Sequence, residues 1–383
     1  MAKQRSQPPK EPQITKLCVR GFRSIADQSL DMTAANVLIG PNGAGKSNLI
    51  GFLRMLRFML ASEQGLPVFV AQAGGASSIL HDGPKTTPQM EAHLEIRTEQ
   101  GLNEYRFRLG QAADDTLIFL EEQFRYLPSN RDGSPPRWTD LGAGHRTPQL
   151  LKAPPGKITQ NVVLRLLRGL SVYQFHDTSD HARIKQRWSL DNDRYLHGDA
   201  GNIAPFLLRL RRIYPQYYSR IVETIRQVAP FLDDFVLEPD YDNVLLRWRE
   251  VGSDVVLGPN QASDGSLRAI SLITLLMQPP DSMPSIMVID EPELGLHPFA
   301  VRVVAGLIRS LALSRQCIVA TQSPEFLNEF TTDEVVVTER PGRASQFRRL
   351  SGAELSRWLN EYSLSELWEM NVLGGRPRPI AAQ

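Results

Sequence analysis

Residues 40–47 read Gly40-Pro41-Asn42-Gly43-Ala44-Gly45-Lys46-Ser47. They stand between residues 36–39, of which all but the first are apolar, and a run of helical spacing that begins at Asn48. The three glycines carry no side chain that would keep backbone N–H groups away from a polyphosphate. The start of the following helix adds partial positive charge at the same point. A strand, a glycine-rich turn and a helix in this order predict a phosphate-binding loop, and we expect the chain to bind a nucleoside triphosphate.

The positions of this loop have distinct expected roles. Lys46 is expected to lie between the β- and γ-phosphates of ATP and to take part in catalysis. Ser47 is expected to ligate Mg²⁺, a hard cation that prefers oxygen ligands. The residues expected to surround ATP are, in chain order, Gly40, Pro41, Asn42, Gly43, Ala44, Gly45, Lys46, Ser47 and Asn48.

An acidic pair follows a buried-strand pattern in the second half of the chain. Residues 286–289 are all apolar, and Asp290 and Glu291 come directly after them. Because such a strand delivers carboxylates to its C-terminal edge, we expect Asp290 to hold Mg²⁺ through water and Glu291 to act as the general base. A buried strand that merely ends in an acidic turn gives the same local pattern, and the phosphate-binding loop favours the catalytic interpretation.

The composition is that of an ordinary globular protein. The 383 residues are 42% hydrophobic, and the net charge is +1, so any contact with nucleic acid has to come from a local patch. Cys18 and Cys317 stand in apolar runs without metal-ligand spacing, and both side chains are expected to be buried. The protein itself is expected to reside in a reducing compartment. No signal peptide or membrane-spanning run is visible, which predicts a cytoplasmic protein without a membrane partner.

The order of the patterns predicts an α/β fold. Residues 91–127 alternate between polar and apolar side chains in the manner of an antiparallel meander, and residues 128–155 are predicted to form a long exposed loop. Residues 159–230 are predicted to be helical. After them, short apolar strands alternate with helices, which implies a parallel sheet with helices on both faces.

Three further segments complete the pattern. They are Ala262-Ser263-Asp264-Gly265-Ser266, Pro292-Glu293-Leu294-Gly295-Leu296-His297 and Ala320-Thr321-Gln322-Ser323. With the phosphate-binding loop and the acidic pair, their order and spacing resemble the ABC-type ATPase heads of the SMC/RecF/OLD branch. Within it the chain looks most like the stand-alone RecF-like predicted ATPases, and the resemblance spans nearly the whole sequence.

This resemblance implies an ABC-type P-loop ATPase head with a mixed sheet, flanking helices, an antiparallel β-meander and a helical insert. The implied bounds are 14–158 for the first half of the head, 159–233 for the insert, 234–373 for the second half and 374–383 for a flexible tail. No heptads for a coiled-coil arm precede Ser263, and too few residues follow Thr321 for the nuclease domain of OLD proteins. We therefore expect an ATPase head alone.

The resemblance further implies a head-to-tail homodimer with ATP sandwiched between the subunits. Ser263 and Gly265 would be signature residues that contact the γ-phosphate held by the partner copy. A plain Ser/Asp helix cap explains the same residues and stays open as an alternative. Residues 294–297 would link the two sites across the interface.

Two positions depart from the family pattern. Gln322 stands where many relatives carry a switch histidine, and we expect it to take that catalytic position with an amide, which cannot shuttle a proton. It is unclear which residue is the glutamine that usually reaches Mg²⁺ in this family. Gln72 is the nearest candidate, and the alternative is that Gln72 is an ordinary loop residue.

The turn at Arg23 is expected to lie near the nucleotide or, as the favoured alternative, on the surface.

The predicted insert contains two features of open meaning. Histidines and acids concentrate in residues 175–181, where a solvated loop or an intersubunit contact is favoured over a metal site. Arginines alternate with aromatic residues across residues 165–220, which suits a nucleic-acid surface, a charged outer face or a protein contact.

The leading hypothesis is a Mg²⁺-dependent ATPase that dimerises around ATP. It would act in DNA repair or phage defence through DNA, through a separately encoded effector or nuclease, or through both. Two rivals stay open: the nucleotide-binding subunit of a membrane transporter, whose usual signature differs from residues 262–266, and an ATP-binding switch with negligible turnover.

Overall fold

The computed structural model describes residues 12–129, 136–152 and 158–374. In chain order, its strands are β1 (Gln13–Phe22), β2 (Ile25–Asp31), β3 (Ala35–Ile39), β4 (Gln89–Thr98), β5 (Gly101–Gln111), β6 (Leu117–Pro128), β7 (Thr139–Gly142), β8 (Leu170–Tyr173), β9 (Trp188–Ser189), β10 (Leu232–Phe235), β11 (Asn243–Val244), β12 (Trp248–Glu250), β13 (Val256–Leu257), β14 (Ile286–Asp290), β15 (Gln316–Thr321), β16 (Val335–Glu339) and β17 (Gln346–Arg349). Its helices are α1 (Lys46–Ala61), α2 (Gly65–Gln72), α3 (Ile158–Arg168), α4 (Ile203–Ile213), α5 (Pro215–Val228), α6 (Asp264–Met277), α7 (Pro298–Ala312), α8 (Pro324–Leu327), α9 (Gly352–Leu355) and α10 (Leu364–Glu369).

The chain divides into two compact units. The first contains the residues up to Ser171, Ser285–Val288 and the residues from Ala312 onward. The second contains Val172–Pro284 and Ile289–Leu311. The division falls within β8 and β14. The bounds that the resemblance implied for head, insert and tail stay a prediction, and the tail beyond Gly374 lies outside the described residues.

An antiparallel sheet of order β2-β1-β4-β5-β6-β7 occupies the first unit. Leu94, Phe107 and Phe119 are buried, while the residues directly before and after each of them in its strand are half-buried or exposed. The predicted meander is thus present as β4, β5 and β6. Part of the predicted loop at 128–155 is instead β7, which pairs with β6, and residues 130–135 and 153–155 of that loop lie outside the described residues.

A second sheet carries the phosphate-binding loop of the first unit. Strand β3 pairs in parallel with β15 on one side and with β16 on the other, and β17 joins β16 antiparallel. All residues of β3 and β15 are buried, as expected for strands covered on both faces. Helix α1 follows β3 and buries its apolar side chains. The α/β fold class is confirmed.

The second unit holds α4, α5, α6 and most of α7, with two small sheets, β10-β12-β13 and β9-β11. The prediction of helix throughout 159–230 is wrong for residues 169–202, which form β8, β9, a short 3₁₀ helix (Arg183–Lys185) and turns. Local side-chain hydrogen bonds explain this: Ser179 Oγ donates to Asp177 Oδ1 at 2.7 Å, and Asn202 Nδ2 donates to the carbonyl of Asn192 at 2.7 Å. Such bonds favour turns over helix.

The two cysteines lie in different environments. Cys317 is fully buried in β15, and burial raises the pKa of its thiol to about 12. Cys18 is half-buried in β1, so the expectation that both are buried is wrong for it. His93 stands opposite Cys18 in β4 and bonds Glu104 at 3.0 Å. A hydrogen bond from His93 lowers the pKa of Cys18, and the same bond with that to Glu104 raises the pKa of His93 to about 9.

This difference predicts selective thiol chemistry. At neutral pH, Cys18 is expected to react with Ellman's reagent in the folded protein, because the thiolate is the nucleophile and His93 stabilises it. Cys317 is expected to react only after addition of denaturant. Replacing His93 by Ala raises the pKa of Cys18, so its rate-versus-pH curve shifts to higher pH. Cys18→Ala is the control that removes the native signal; two thiols reacting equally in the folded state would contradict the assignment.

Candidate functional site

The phosphate-binding loop connects β3 to α1, and close contacts with neighbouring atoms require glycine at two of its positions. A Cβ atom on Gly40 would lie 2.3 Å from the backbone oxygen of Thr338. Gly45 has φ 115°, in the left-handed region, and a Cβ atom there would lie 2.0 Å from Ser345 Oγ. Neither position accepts a side chain without movement of its neighbours.

Lys46 is the first residue of α1, and its side chain turns back over the loop. Its Nζ donates to the carbonyl of Gly40 and to that of Pro41, the latter at 3.1 Å, and the residue is only 5% exposed. Among the described residues, no side chain caps this end of α1. The first N–H groups of a helix have no partner within it, so this end is available to an anion. The residues present therefore fit a triphosphate.

A hydrogen-bonded cluster stands behind the loop. Asn48 Nδ2 donates to Ser24 Oγ at 2.6 Å, and Ser24 Oγ also bonds Ser345 Oγ at 2.6 Å. Arg23, one residue earlier, has φ 49°, and its Nη1 lies 3.0 Å from where a Cβ on Gly51 would stand. Arg23 is therefore half-buried against α1, and burial lowers its pKa. The sequence favoured a surface position for this arginine, and the structure corrects that interpretation in part because the side chain is half-buried.

Gln322 reaches the same edge of the second sheet as Gly40. In the parallel pairing of β15 with β3, Thr321 stands opposite Ile39. Gln322 and Gly40 are the next residues of the two strands, and Gln322 is half-buried. The sheet register thus brings the two predicted residues together, while the catalytic role of Gln322 stays a prediction.

In the second unit, the acidic pair stands at the end of β14. Asp290 is 7% exposed, and its Oδ2 accepts a hydrogen bond from Gln174 Nε2 at 3.0 Å. His176 Nε2 lies 3.1 Å from the backbone oxygen of Asp290 and 3.8 Å from Glu291 Oε2. Glu291 has φ 46°, a conformation that residues other than glycine seldom adopt and that marks a constrained turn.

Sequence reasoning missed Gln174 and His176. Gln72, the glutamine proposed from chain order, is instead an exposed residue at the end of α2. The available signal was that Gln174 directly follows the short, mostly apolar strand β8, in the way that Asp290 ends the apolar run of β14. Residues 175–181 do form a loop, as favoured from the sequence, but His176 is half-buried and contacts the acidic pair instead of being solvated.

The predicted signature segment begins α6. Ser263 is its N-cap and accepts a hydrogen bond from the Ser266 backbone N–H at 3.1 Å, so the helix cap considered from the sequence is present. A Cβ on Gly265 would lie 2.5 Å from the backbone oxygen of Gly295, which explains the glycine by close packing. Contact of Ser263 and Gly265 with a second copy stays a prediction.

Residues 35–328 match the family described as "AAA domain, putative AbiEii toxin, Type IV TA system". The chain belongs to this family. It is also 24% identical, over 92% of its length and 67% of the relative's, to a protein of Thermus scotoductus (strain ATCC 700910 / SA-01) named OLD nuclease.

Solved structures with the same fold include an Smc head bound to the C-winged helix domain of ScpA (TM-score 0.58, 16% identity, 90% of this chain and 99% of that one). Another is an Smc head domain with an extended coiled coil from Pyrococcus furiosus, bound to the C-terminal domain of ScpA (TM-score 0.55, 14% identity, 91% and 99%). The fold is that of an ABC-type P-loop ATPase head, and the protein is an ATP hydrolase of the SMC/RecF/OLD type.

Several basic residues of the ATPase's second unit are engaged in ion pairs. Arg183 bonds Asp199 at 2.8 Å, and Arg187 contacts Asp240. Further pairs among the described residues of this unit are Lys185 with Asp180, Arg209 with Asp193 and Arg226 with Asp233. Opposite charges at such short distances cancel much of the field that would attract a phosphate backbone, so these pairs favour the charged outer face over the nucleic-acid surface.

None of this ATPase's helices, in the part of the chain that the structure describes, combines the length and the apolar character of a membrane span.

Proposed function

We propose that this ATPase is Mg²⁺-dependent and closes as a head-to-tail homodimer around ATP. Lys46 and the loop N–H groups bind the phosphates, and Ser47 and Asp290 hold Mg²⁺, which when bound would neutralise phosphate charge. Glu291 accepts a proton from the attacking water. Ser263 and Gly265 of the partner copy complete the site. The open and closed states would be read by a partner.

The uncapped start of α1 with Lys46 folded over it carries this proposal. A buried ammonium group that donates to two backbone carbonyls near a helix N-terminus can exchange those contacts for an anion, which offers stronger charge-assisted bonds. The match of this chain to SMC heads and to an OLD protein supports a dimerising head over a transporter subunit. We place the protein in the cytoplasm.

Of the two settings, phage defence with a separately encoded effector is better supported than DNA repair. The family description names a toxin and a TA system, and the relative is named a nuclease. DNA contact through the second unit has weaker support because of the ion pairs described above. We therefore favour a partner protein, over DNA, as the molecule that distinguishes the ATP-bound closed state from the open state.

One comparison of rates tests this assignment. The ATPase rate and the particle mass are measured with duplex DNA, with single-stranded DNA and with the product of the adjacent gene. We expect the adjacent gene product to form a complex and to change the rate, and DNA alone to have little effect. Lys46→Ala is the control in which every such rate change should vanish. Strong stimulation by DNA alone, without complex formation, would instead favour repair.

A further inference from the structure

His176 is a histidine beside the proposed general base. Its Nε2 lies 3.1 Å from the backbone oxygen of Asp290 and 3.8 Å from Glu291 Oε2. A backbone carbonyl can only accept a hydrogen bond, so the short contact requires Nε2 to carry the proton. Glu291 Oε2, 3.8 Å from the same nitrogen, is beyond hydrogen-bond distance, so His176 acts on Glu291 through the Asp290 carbonyl.

The turn that His176 contacts is constrained. Glu291 has φ 46°, which costs a non-glycine residue energy unless surrounding contacts hold it. The hydrogen bond from His176 fixes the carbonyl of Asp290, the peptide group that leads into Glu291. The direction of the Glu291 side chain thus depends on a bond made one residue earlier.

Arg268 of α6 in turn fixes His176. Its Nη2 donates to the His176 carbonyl at 2.8 Å, and its Nε donates to the Phe175 carbonyl at 3.2 Å. Its Nη1 donates to the Leu294 carbonyl at 3.2 Å, in the segment that follows the acidic pair. The imidazole is therefore mounted on a braced backbone, which is what a positioning group requires.

We propose that His176 is a positioning residue for Glu291: its Nε2–H holds the Asp290–Glu291 turn and orients the carboxylate toward the attacking water. The inference rests on the proposed role of Glu291 as the base. It gives this chain an imidazole beside the base, whereas Gln322 supplies only an amide at the position of the relatives' switch histidine.

The test separates the chemical step from ATP binding. His176→Ala is expected to lower kcat by about 10- to 100-fold, the usual effect of removing a group that orients a reactive one. KM for ATP should stay within about threefold, because the bond acts on the base and not on the bound phosphates. His176→Gln, whose amide nitrogen can reach the Asp290 carbonyl, should restore most of kcat.

Matched variants exclude a general structural effect. His181→Ala removes an exposed histidine from the same segment and should leave kcat unchanged. His176→Asn keeps an amide but is too short to reach the carbonyl, so it should behave like His176→Ala and replaces that variant if it fails to fold. In a Glu291→Gln background, His176→Ala should lower the residual rate by less than about twofold, because the two residues act as one unit.

Four results would overturn the role of His176 or count against the proposed function on which it rests. Wild-type kcat in His176→Ala or His176→Asn, with Glu291→Gln inactive, overturns the role of His176 and leaves the proposed function intact. Failure of His176→Gln to restore kcat, or an equal loss in the Glu291→Gln background, also overturns it. A wild-type rate in Glu291→Gln itself counts against the proposed function.

Discussion

Lys46→Ala is expected to abolish ATP binding at working concentrations. The ammonium group of Lys46 is buried over the loop and is the cation nearest to the bound phosphates in the proposed complex. Truncating one member of a buried charge pair costs about 2–5 kcal/mol, so affinity for ATP should fall at least about 30-fold. Titration with ATP measures the dissociation constant, and phosphate release measures the rate.

The matched control for this change is Lys85→Ala, which removes an exposed lysine from the same unit. It should leave both ATP affinity and phosphate release unchanged. Thermal melting without nucleotide shows whether Lys46→Ala remains folded. A folded Lys46→Ala protein that binds ATP as tightly as the wild type would contradict the proposal that this loop binds ATP through Lys46.

Glu291→Gln is expected to separate binding from turnover. The amide has nearly the same shape as the carboxylate but cannot accept the proton of the attacking water, so kcat should fall by about 10²- to 10⁴-fold. ATP affinity should remain, because the loop around Lys46 is unchanged. Since the closed form can no longer be released by hydrolysis, a dimer should accumulate with ATP, which light scattering detects as a doubled mass.

Glu325→Gln is the control for this loss of charge. It removes one negative charge from an exposed residue at the start of α8 and should keep the wild-type rate. Retention of kcat in Glu291→Gln would show that another group activates the water. Loss of ATP affinity together with kcat would show that the variant disturbs the fold of the site, and the trapped dimer would then not form.

Contiguous motifs were predictable because their geometry is local. The loop at residues 40–47 needs only a strand, glycines with free backbone and a helix start, and all three are adjacent in the sequence. The meander followed from alternation alone. In contrast, Gln174 and His176 meet Asp290 across 116 and 114 positions. Only the sheet order, with β8 beside β14, brings them together, and chain order misdirected the search to Gln72.

Two other misses have simple physical causes. Alternation along β1 buries Leu17 and Val19 and turns Cys18 outward. The sequence shows this alternation, but burial of Cys18 was predicted from the apolar character of the segment. Strand β7 has little strand propensity of its own and forms by pairing with β6. Apolar content alone thus predicts burial less well than strand period does.

A mixing experiment tests the central claim most directly. Lys46→Ala and Ser263→Arg are prepared as separate proteins, each expected to be inactive because every site in its homodimer lacks one contribution. In a mixed dimer, one site has Lys46 from one copy and Ser263 from the other. An equal mixture should therefore recover about a quarter of the wild-type ATPase rate, since half of the dimers are mixed and each has one intact site. A mixture no more active than the two variants alone would contradict a site shared between two copies.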